Sequence, residues 1–175
     1  MEKTLNCKKR NISTTASVKP KKKTRKNRPT IGWREWAVLP GLGIDKIKVK
    51  VDTGARTSAL HAINLHFFER DGRPMVRFKV HPYQRNFRTT IETEAEVVDR
   101  RKVRNSGGRS ELRPVIRTHI ELMGKEWPIE ITLTDRDVMG FRMLLGRQAV
   151  RRYFLINPGR SFLGDKRPIT GGKTR

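Results

Sequence analysis

The chain has 175 residues, of which 40 are Lys or Arg and 17 are Asp or Glu, so its formal net charge is +23. This length suits one domain with an extension. No apolar run approaches the roughly 20 residues that a membrane-spanning helix needs, and no apolar segment follows the basic start as it would in a secretory signal. The single cysteine, Cys7, excludes an intrachain disulfide and a cysteine-based zinc site. We therefore expect a cytoplasmic protein with no membrane partner.

The basic charge is spread over two parts of the chain. Residues 1–30 contain 11 Lys or Arg and one acid, and their few apolar residues are scattered. Such a segment cannot bury enough apolar surface to offset the entropy of ordering, so we predict a disordered basic tail. This tail either binds nucleic acid or acidic protein in a salt-dependent way or is simply solvated. Residues 31–163 form the predicted domain, itself basic by 10 charges, and residues 164–175 are predicted to be a short flexible tail.

Several segments show the two-residue alternation of half-buried strands. These segments are residues 47–52, 75–80, 91–97, 115–122 and 129–133. Asp71-Gly72 predicts a hairpin, Met123-Gly124 predicts a second reversal, and residues 105–108 predict a flexible loop. One short helix is expected after Gly146, running to Arg151. Many short strands with little helix predict an all-β fold, either a small closed barrel or a sandwich.

The strand at 47–52 ends in an acid followed by a tight turn, Asp52-Thr53-Gly54-Ala55. This order places a carboxylate at the end of a rigid strand. Gly54 has no Cβ, so a substrate backbone can come close to it, and the Thr53 hydroxyl is suited to clamping the loop. An ordinary strand followed by a turn is the alternative interpretation.

A second motif follows about 90 residues later, where an apolar strand at 141–146 ends in Leu145-Gly146, with Arg147 and the short helix behind it. An Asp-Thr-Gly-Ala loop followed by this strand and helix resembles the order found in retropepsins. The chain is still more similar to a bacterial branch of retropepsin-like aspartic endopeptidases, whose domain is also labelled an ATP-dependent zinc protease. The matching stretches are residues 32–36, 50–62, 113–118, 131–136, 143–147 and 157–161.

The resemblance implies a small closed retropepsin-like barrel with one short C-terminal helix, active as a homodimer without a cofactor. Asp52 of each copy would meet at a two-fold axis, and two carboxylates about 3 Å apart share one proton. The ionised carboxylate would activate a water molecule against a peptide bond. Thr53 would stiffen the pair, Gly54 would admit the substrate, and Leu145, Gly146 and Arg147 would support the loop.

One position departs from the retroviral pattern. There an acid two residues after the loop glycine pairs with the arginine that follows Leu-Leu-Gly, whereas this chain has Arg56 and Arg147 at those positions. Two arginines cannot form that ion pair, so the contact between subunits must differ. Asp135 or Asp137 is the predicted partner of Arg147.

The same departure suggests a substrate class. Ala55 and Arg56, with Arg113, Arg117 and Arg136, are the predicted substrate-binding residues, and the arginines would form a basic cleft. Arginine has a planar fork that matches carboxylates. The bacterial branch is associated with ATP-grasp glutamate ligases, so the resemblance implies acidic or glutamate-rich peptides as substrates. The alternative is that these arginines are solvated surface residues.

Two further classes of function remain open at this level. A zinc-dependent peptidase would need tertiary convergence of the histidines, because His61, His66, His81 and His119 show no His-Glu-x-x-His spacing. A non-catalytic basic barrel would bind nucleic acid or acidic partners. For the peptidase, the flap over the site is expected between Asp52 and the strand at 141–146, with the glycines at 107 and 108 as a candidate tip.

Overall fold

The computed structural model of the chain describes residues 28–84, 88–104, 108, 110–135 and 140–164. Most of the predicted basic tail, residues 1–27, lies outside these ranges, as does the predicted C-terminal tail from residue 165. Residues 105–107 of the predicted loop also lie outside the described residues, together with Arg136 and Asp137.

The described chain is mostly strand. Its strands are β1 Thr30–Gly32, β2 Arg34–Leu39, β3 Ile44–Asp52, β4 Ser58–His61, β5 Ile63–Arg70, β6 Arg73–Val80, β7 Ile91–Arg104, β8 Ser110–Leu122, β9 Lys125–Thr134, β10 Met143–Gly146 and β11 Leu155–Asn157. One α-helix, α1, spans Arg147–Val150, and a short 3-10 helix spans Pro40–Leu42. The predicted all-β fold is confirmed, as are the strands read from the alternating segments. The predicted strand at 141–146 begins two residues later than expected, and α1 ends one residue earlier.

Nine of the strands form one sheet in the order β2-β3-β10-β4-β9-β8-β7-β6-β5. Val38 on β2 also pairs with Glu121 on β8. This pairing joins the two ends of the run from β2 to β8, so six strands close into a ring. The remaining strands, β7, β6 and β5, continue from β8 as an antiparallel extension. The closed ring selects the barrel over the sandwich.

The core lies inside this ring because one face of each strand is apolar. Val49, Leu60, Ile131 and Leu145 come from four neighbouring strands, and each is almost completely inaccessible to solvent. The alternating pattern that predicted the strands is therefore the pattern of burial. Among the described residues, no helix is long and apolar enough to cross a bilayer.

The two ends of the described chain are joined at a buried carboxylate. Glu35 is fully buried on β2, and its Oε1 accepts hydrogen bonds from the backbone N–H groups of Gly32 at 2.6 Å and Leu163 at 2.9 Å. Its Oε2 accepts a third from the N–H of Gly164 at 3.2 Å. Beside it, β1 pairs in parallel with β11. Two of the stretches that carried the family resemblance, 32–36 and 157–161, thus lie side by side.

Candidate active site

The carboxylate of Asp52 is fixed by its own loop. Asp52 is the last residue of β3, and its Oδ1 accepts hydrogen bonds from the backbone N–H groups of Gly54 at 3.0 Å and Ala55 at 3.1 Å. An aspartate that binds the backbone two residues ahead forms a tight, local turn. Its other oxygen, Oδ2, accepts no hydrogen bond from the described residues. Asp52 is half-buried and Thr53 is exposed, so the carboxylate lies at an accessible edge of the loop.

The strand β10 supports this loop from the side. It runs parallel to β3 with Gly146 opposite Asp52, and antiparallel to β4 on its other edge. The loop from Asp52 to Ser58 therefore crosses over the end of β10. The N–H of Gly146 donates to the buried hydroxyl of Ser58 at 3.2 Å. Leu145 is fully buried beneath the crossing.

The first turn of α1 also binds the loop that carries Asp52. The backbone N–H of Arg147 donates to the carbonyl of Ala55 at 2.9 Å, and that of Gln148 donates to the carbonyl of Arg56 at 3.2 Å. The Arg147 side chain donates through Nη1 to the carbonyl of Gly54 at 3.2 Å. Arg147 therefore holds the loop within one chain, while its predicted partner Asp135 is exposed just after β9.

A cleft of about 1000 Å³ opens in front of Asp52. Loop residues Gly54, Ala55 and Arg56 line one part of it, and residues of β7, β8 and β9 line another. Residues of β3, β4, β10 and α1 complete the lining, together with Thr57, Gly140 and Phe141. The candidate flap tip at residues 107 and 108 falls between β7 and β8, and the end of β7, Arg101 to Arg104, borders the cleft. Of the two tip glycines, only Gly108 lies within the described residues.

The lining of the cleft is strongly basic. Asp52 and Glu130 are its acidic residues among the described residues. Its basic residues there are Lys50, Arg56, Arg101, Lys102, Arg104 and Arg113. Of the predicted substrate-binding arginines, Arg56 and Arg113 line the cleft, whereas Arg117 is exposed beside Glu130, at 3.5 Å. Electrostatics alone therefore make this cleft attractive to anions.

Sequence reasoning missed the contribution of β7. Arg101, Lys102 and Arg104 reach the cleft because β7 pairs with β8 along the hairpin, with Arg101 opposite Arg113. A run of basic residues in a strand is visible in the sequence, but only the register shows that it faces Asp52. Arg101 carries its own counter-charges: Asp99 at 2.6 Å and Glu130 at 2.7 Å. The hydrogen bond that Arg101 donates to Glu130, followed by the one it donates to Asp99, raises the pKa of Arg101.

The histidines are dispersed. His61 is buried on β4, His66 and His119 are exposed on β5 and β8, and His81 follows β6. Within the described ranges, no three His, Cys, Asp or Glu side chains come together as a metal-binding group.

An Asp-Thr-Gly loop at a strand end, braced by a second strand and a short helix in a closed β-sheet, defines a retropepsin-like protein. A family model described as retropepsin-like aspartic endopeptidase RimB matches residues 30–167, and the chain belongs to this RimB-like family. The predicted family and retropepsin-like fold are confirmed.

Individual relatives carry a different name. The chain is 48% identical over 141 residues to a probable alpha-L-glutamate ligase of Shewanella pealeana, covering 80% of this chain and 31% of that protein. It is 50% identical over 128 residues to the protein of that name from Desulfotalea psychrophila, covering 73% of this chain and 28% of the relative. The chain thus spans about a third of the length of these curated relatives.

A solved structure shares the fold. The crystal structure of Lpg0085 from Legionella pneumophila, a protein with unknown function (DUF785), superposes with a TM-score of 0.67 at 29% identity. The match covers 78% of this chain and 98% of that one.

Proposed function

We propose that this chain is an aspartic endopeptidase whose site forms when two copies bring their Asp52 residues together. The observation that carries the proposal is the setting of that carboxylate. It lies at the end of a rigid strand, one oxygen is held by two backbone N–H groups, and the other is without a partner among the described residues. A second carboxylate meeting the free oxygen completes a proton-sharing pair.

The proposed chemistry is the hydrolysis of one peptide bond by one water molecule. The ionised carboxylate takes a proton from water as the oxygen attacks the carbonyl carbon, and the protonated carboxylate donates its proton to the carbonyl oxygen. Collapse of the tetrahedral intermediate breaks the C–N bond. The departing nitrogen takes a proton from the pair, and one hydroxyl of the intermediate returns its proton to the pair as the new carboxylic acid forms. The products are a carboxylic acid and an amine, and the pair again holds one proton. The Oδ1 hydrogen bonds keep Asp52 in place throughout, so little reorganisation is needed.

We propose acidic, glutamate-rich peptides as the substrate class. The supporting observation is the predominance of cations in the cleft, where Lys50 and Arg56 lie close in sequence to Asp52 and β7 supplies Arg101, Lys102 and Arg104. The relatives named as probable alpha-L-glutamate ligases agree with this class, because a segment like this chain occupies about a third of proteins so named. We assign the hydrolytic step, and no ligase step, to the part that this chain represents.

The test is Asp52→Asn, which removes the ionisable group but keeps the shape and the Oδ1 acceptor. Cleavage of a fluorogenic peptide containing consecutive glutamates should fall by at least about 10³-fold, since the general base and acid are lost together. The thermal midpoint should change little. Asp45→Asn is the matched control, because Asp45 is an exposed residue of the same strand. Equal activity of the two variants contradicts the proposal.

Two outcomes would assign another function. If Asp52→Asn retains full activity while a chelator abolishes it, the protein is a metal-dependent peptidase. If no peptide is cleaved and a nucleic acid binds with an affinity that falls steeply with salt, the basic barrel is a binding module.

A further inference from the structure

Arg113 is an unusual arginine because it is buried and only partly paired. It retains 6% of its accessible surface, and it lies in the wall of the cleft. Its Nε donates to Glu111 Oε2 at 2.9 Å. The two terminal nitrogens, Nη1 and Nη2, have no acceptor among the described residues. Neither nitrogen is among the buried polar atoms that lack a partner, so both are accessible from the cleft that Arg113 lines, where an anionic ligand can reach them.

The neighbouring strand, β7, places a second positive charge next to Arg113. Arg101 lies directly opposite Arg113 in the β7–β8 pairing. Like charges in such cross-strand pairs are destabilising. Arg101 is compensated on two sides, by Asp99 at 2.6 Å and by Glu130 at 2.7 Å. Arg113 has one acid, bound at Nε, so the excess positive charge of the pair lies at its terminal nitrogens.

We propose that the terminal nitrogens of Arg113 bind a side-chain carboxylate of the peptide in the cleft, which makes Arg113 a specificity-determining residue. The inference rests on the proposed function, since it names the group that recognises the acidic substrate. A guanidinium offers two parallel N–H groups that match the two oxygens of a carboxylate. A glutamine side chain offers one acceptor oxygen and an NH₂ group that cannot accept. Arg113 therefore distinguishes glutamate from glutamine at the residue it contacts.

Arg117 is the matched control on the same strand. Its side chain is 63% exposed and is bound to Glu130 at 3.5 Å, and it does not belong to the cleft lining. An exposed ion pair of this kind contributes little. Replacing either arginine removes the same guanidinium, but only the change at position 113 removes the group in the cleft wall.

The experiment measures binding without turnover. In the 175-residue chain carrying Asp52→Asn, fluorescence anisotropy at constant salt compares a labelled peptide of six glutamates with one of six glutamines. Adding Arg113→Lys should weaken binding of the glutamate peptide roughly tenfold or more, because a hydrogen bond to a charged group is lost. The glutamine peptide should change by less than about threefold, and Arg117→Lys should change both by less than about threefold. Equal effects of the two lysine variants, or equal losses for the two peptides, overturn the inference.

A second variant tests the same site at an exposed position and leaves Arg113 intact. Glu111→Gln removes the acid at Nε, so the guanidinium should draw a substrate carboxylate more strongly. The glutamate peptide should bind roughly threefold tighter or more, and the glutamine peptide should be unchanged. Unchanged or weaker binding of the glutamate peptide contradicts the proposal. A short RNA that outcompetes the glutamate peptide and depends on Arg113 would also overturn it.

The endopeptidase proposal and the carboxylate-site proposal can be refuted independently of each other. Peptide cleavage is measured on the chain with Asp52 intact. If nothing is cleaved while the Arg113 pattern of binding holds, the endopeptidase proposal is wrong and the carboxylate site stands. If peptides are cleaved while Arg113→Lys affects both peptides equally, the carboxylate site is wrong and the endopeptidase proposal stands.

Discussion

Gly146 packs against the backbone of Thr57 so closely that a Cβ at position 146 would lie 2.5 Å from the Thr57 carbonyl oxygen. The contact arises where the loop that carries Asp52 crosses the end of β10. The residue opposite Asp52 in the parallel pairing is therefore one that tolerates no side chain. The Leu-Leu-Gly motif ends in glycine because the loop of the catalytic candidate passes directly over it.

Gly146→Ala should destabilise the fold and displace the loop. The new methyl group meets backbone atoms, which cannot rotate away, so we expect a loss of about 1–3 kcal/mol in the free energy of unfolding. Peptide cleavage should fall further than this loss of stability explains, because the Asp52 loop must shift. Urea denaturation measures the first effect and single-turnover cleavage the second. Gly140→Ala is the control, since no heavy atom of the described residues lies within 4 Å of a Cβ there. Similar behaviour of the two variants would refute the packing argument.

Removing the Glu35 carboxylate should release the C-terminal segment at 160–164. Glu35→Ala leaves three backbone N–H groups without their acceptor, and we expect a cost of about 3 kcal/mol or more. Glu35→Gln keeps one acceptor oxygen and should fall between that variant and the parent. Denaturant midpoints measure the order, and hydrogen exchange at Leu163 and Gly164 should accelerate most. Glu69→Ala, at an exposed position, should be near neutral. A Glu35→Gln variant that is less stable than Glu35→Ala would contradict this account.

The local sequence pattern was sufficient to predict the strands. The two-residue alternation at 47–52 and 129–133 indicates directly which residues face the core. The turn at Asp71-Gly72 indicates that the strands on either side of it pair with each other. The boundary at β10 was less exact because Phe141 is apolar without being in the strand. Its ring packs edge-on against Trp33 instead, at 5.8 Å between centroids.

The positions of several charged residues depend on strand register and tertiary contacts, which the local sequence pattern does not show. Arg113 and Arg117 look alike in sequence, yet one is buried in the cleft wall and the other is exposed beside Glu130. Arg101 was missed because its position opposite Arg113 depends on hairpin pairing. Glu35 was missed because its three donors come from both ends of the domain. In each case the signal is a contact between distant residues.

Acidification should weaken the β5–β6–β7 extension through Glu94. A hydrogen bond from Arg70 is the main cause that lowers the pKa of Glu94, with attraction to Arg70 and to Arg77, at 3.6 Å, acting in the same direction. A carboxyl whose folded pKa is lowered stabilises the fold above its unfolded pKa, and this contribution disappears as pH falls through the folded pKa. The advantage of the parent over Glu94→Gln should therefore be present at pH 7 and vanish below the ordinary value of 4.5.

The measurement for Glu94 is the thermal midpoint as a function of pH. Because the group is exposed, added salt should reduce the difference between parent and variant. Glu69→Gln provides the control, because Glu69 has no ion pair among the described residues. A difference between parent and Glu94→Gln that does not diminish as the pH falls below 4.5 would show that packing, and not charge, is responsible.

Mixing subunits tests whether the two Asp52 carboxylates act together. If the active species is a homodimer, a pair with one Asp52→Asn subunit has a single carboxylate and no shared proton, so it should be inactive. Parent and variant are mixed at constant total concentration and allowed to exchange. Activity should then follow the square of the parent fraction: a half-and-half mixture should keep about a quarter of the activity, because C2 sites need both copies. Asp45→Asn as the added subunit should leave activity unchanged. A linear decline with the parent fraction would mean that each chain works alone, and the dimer-shared site would then be wrong.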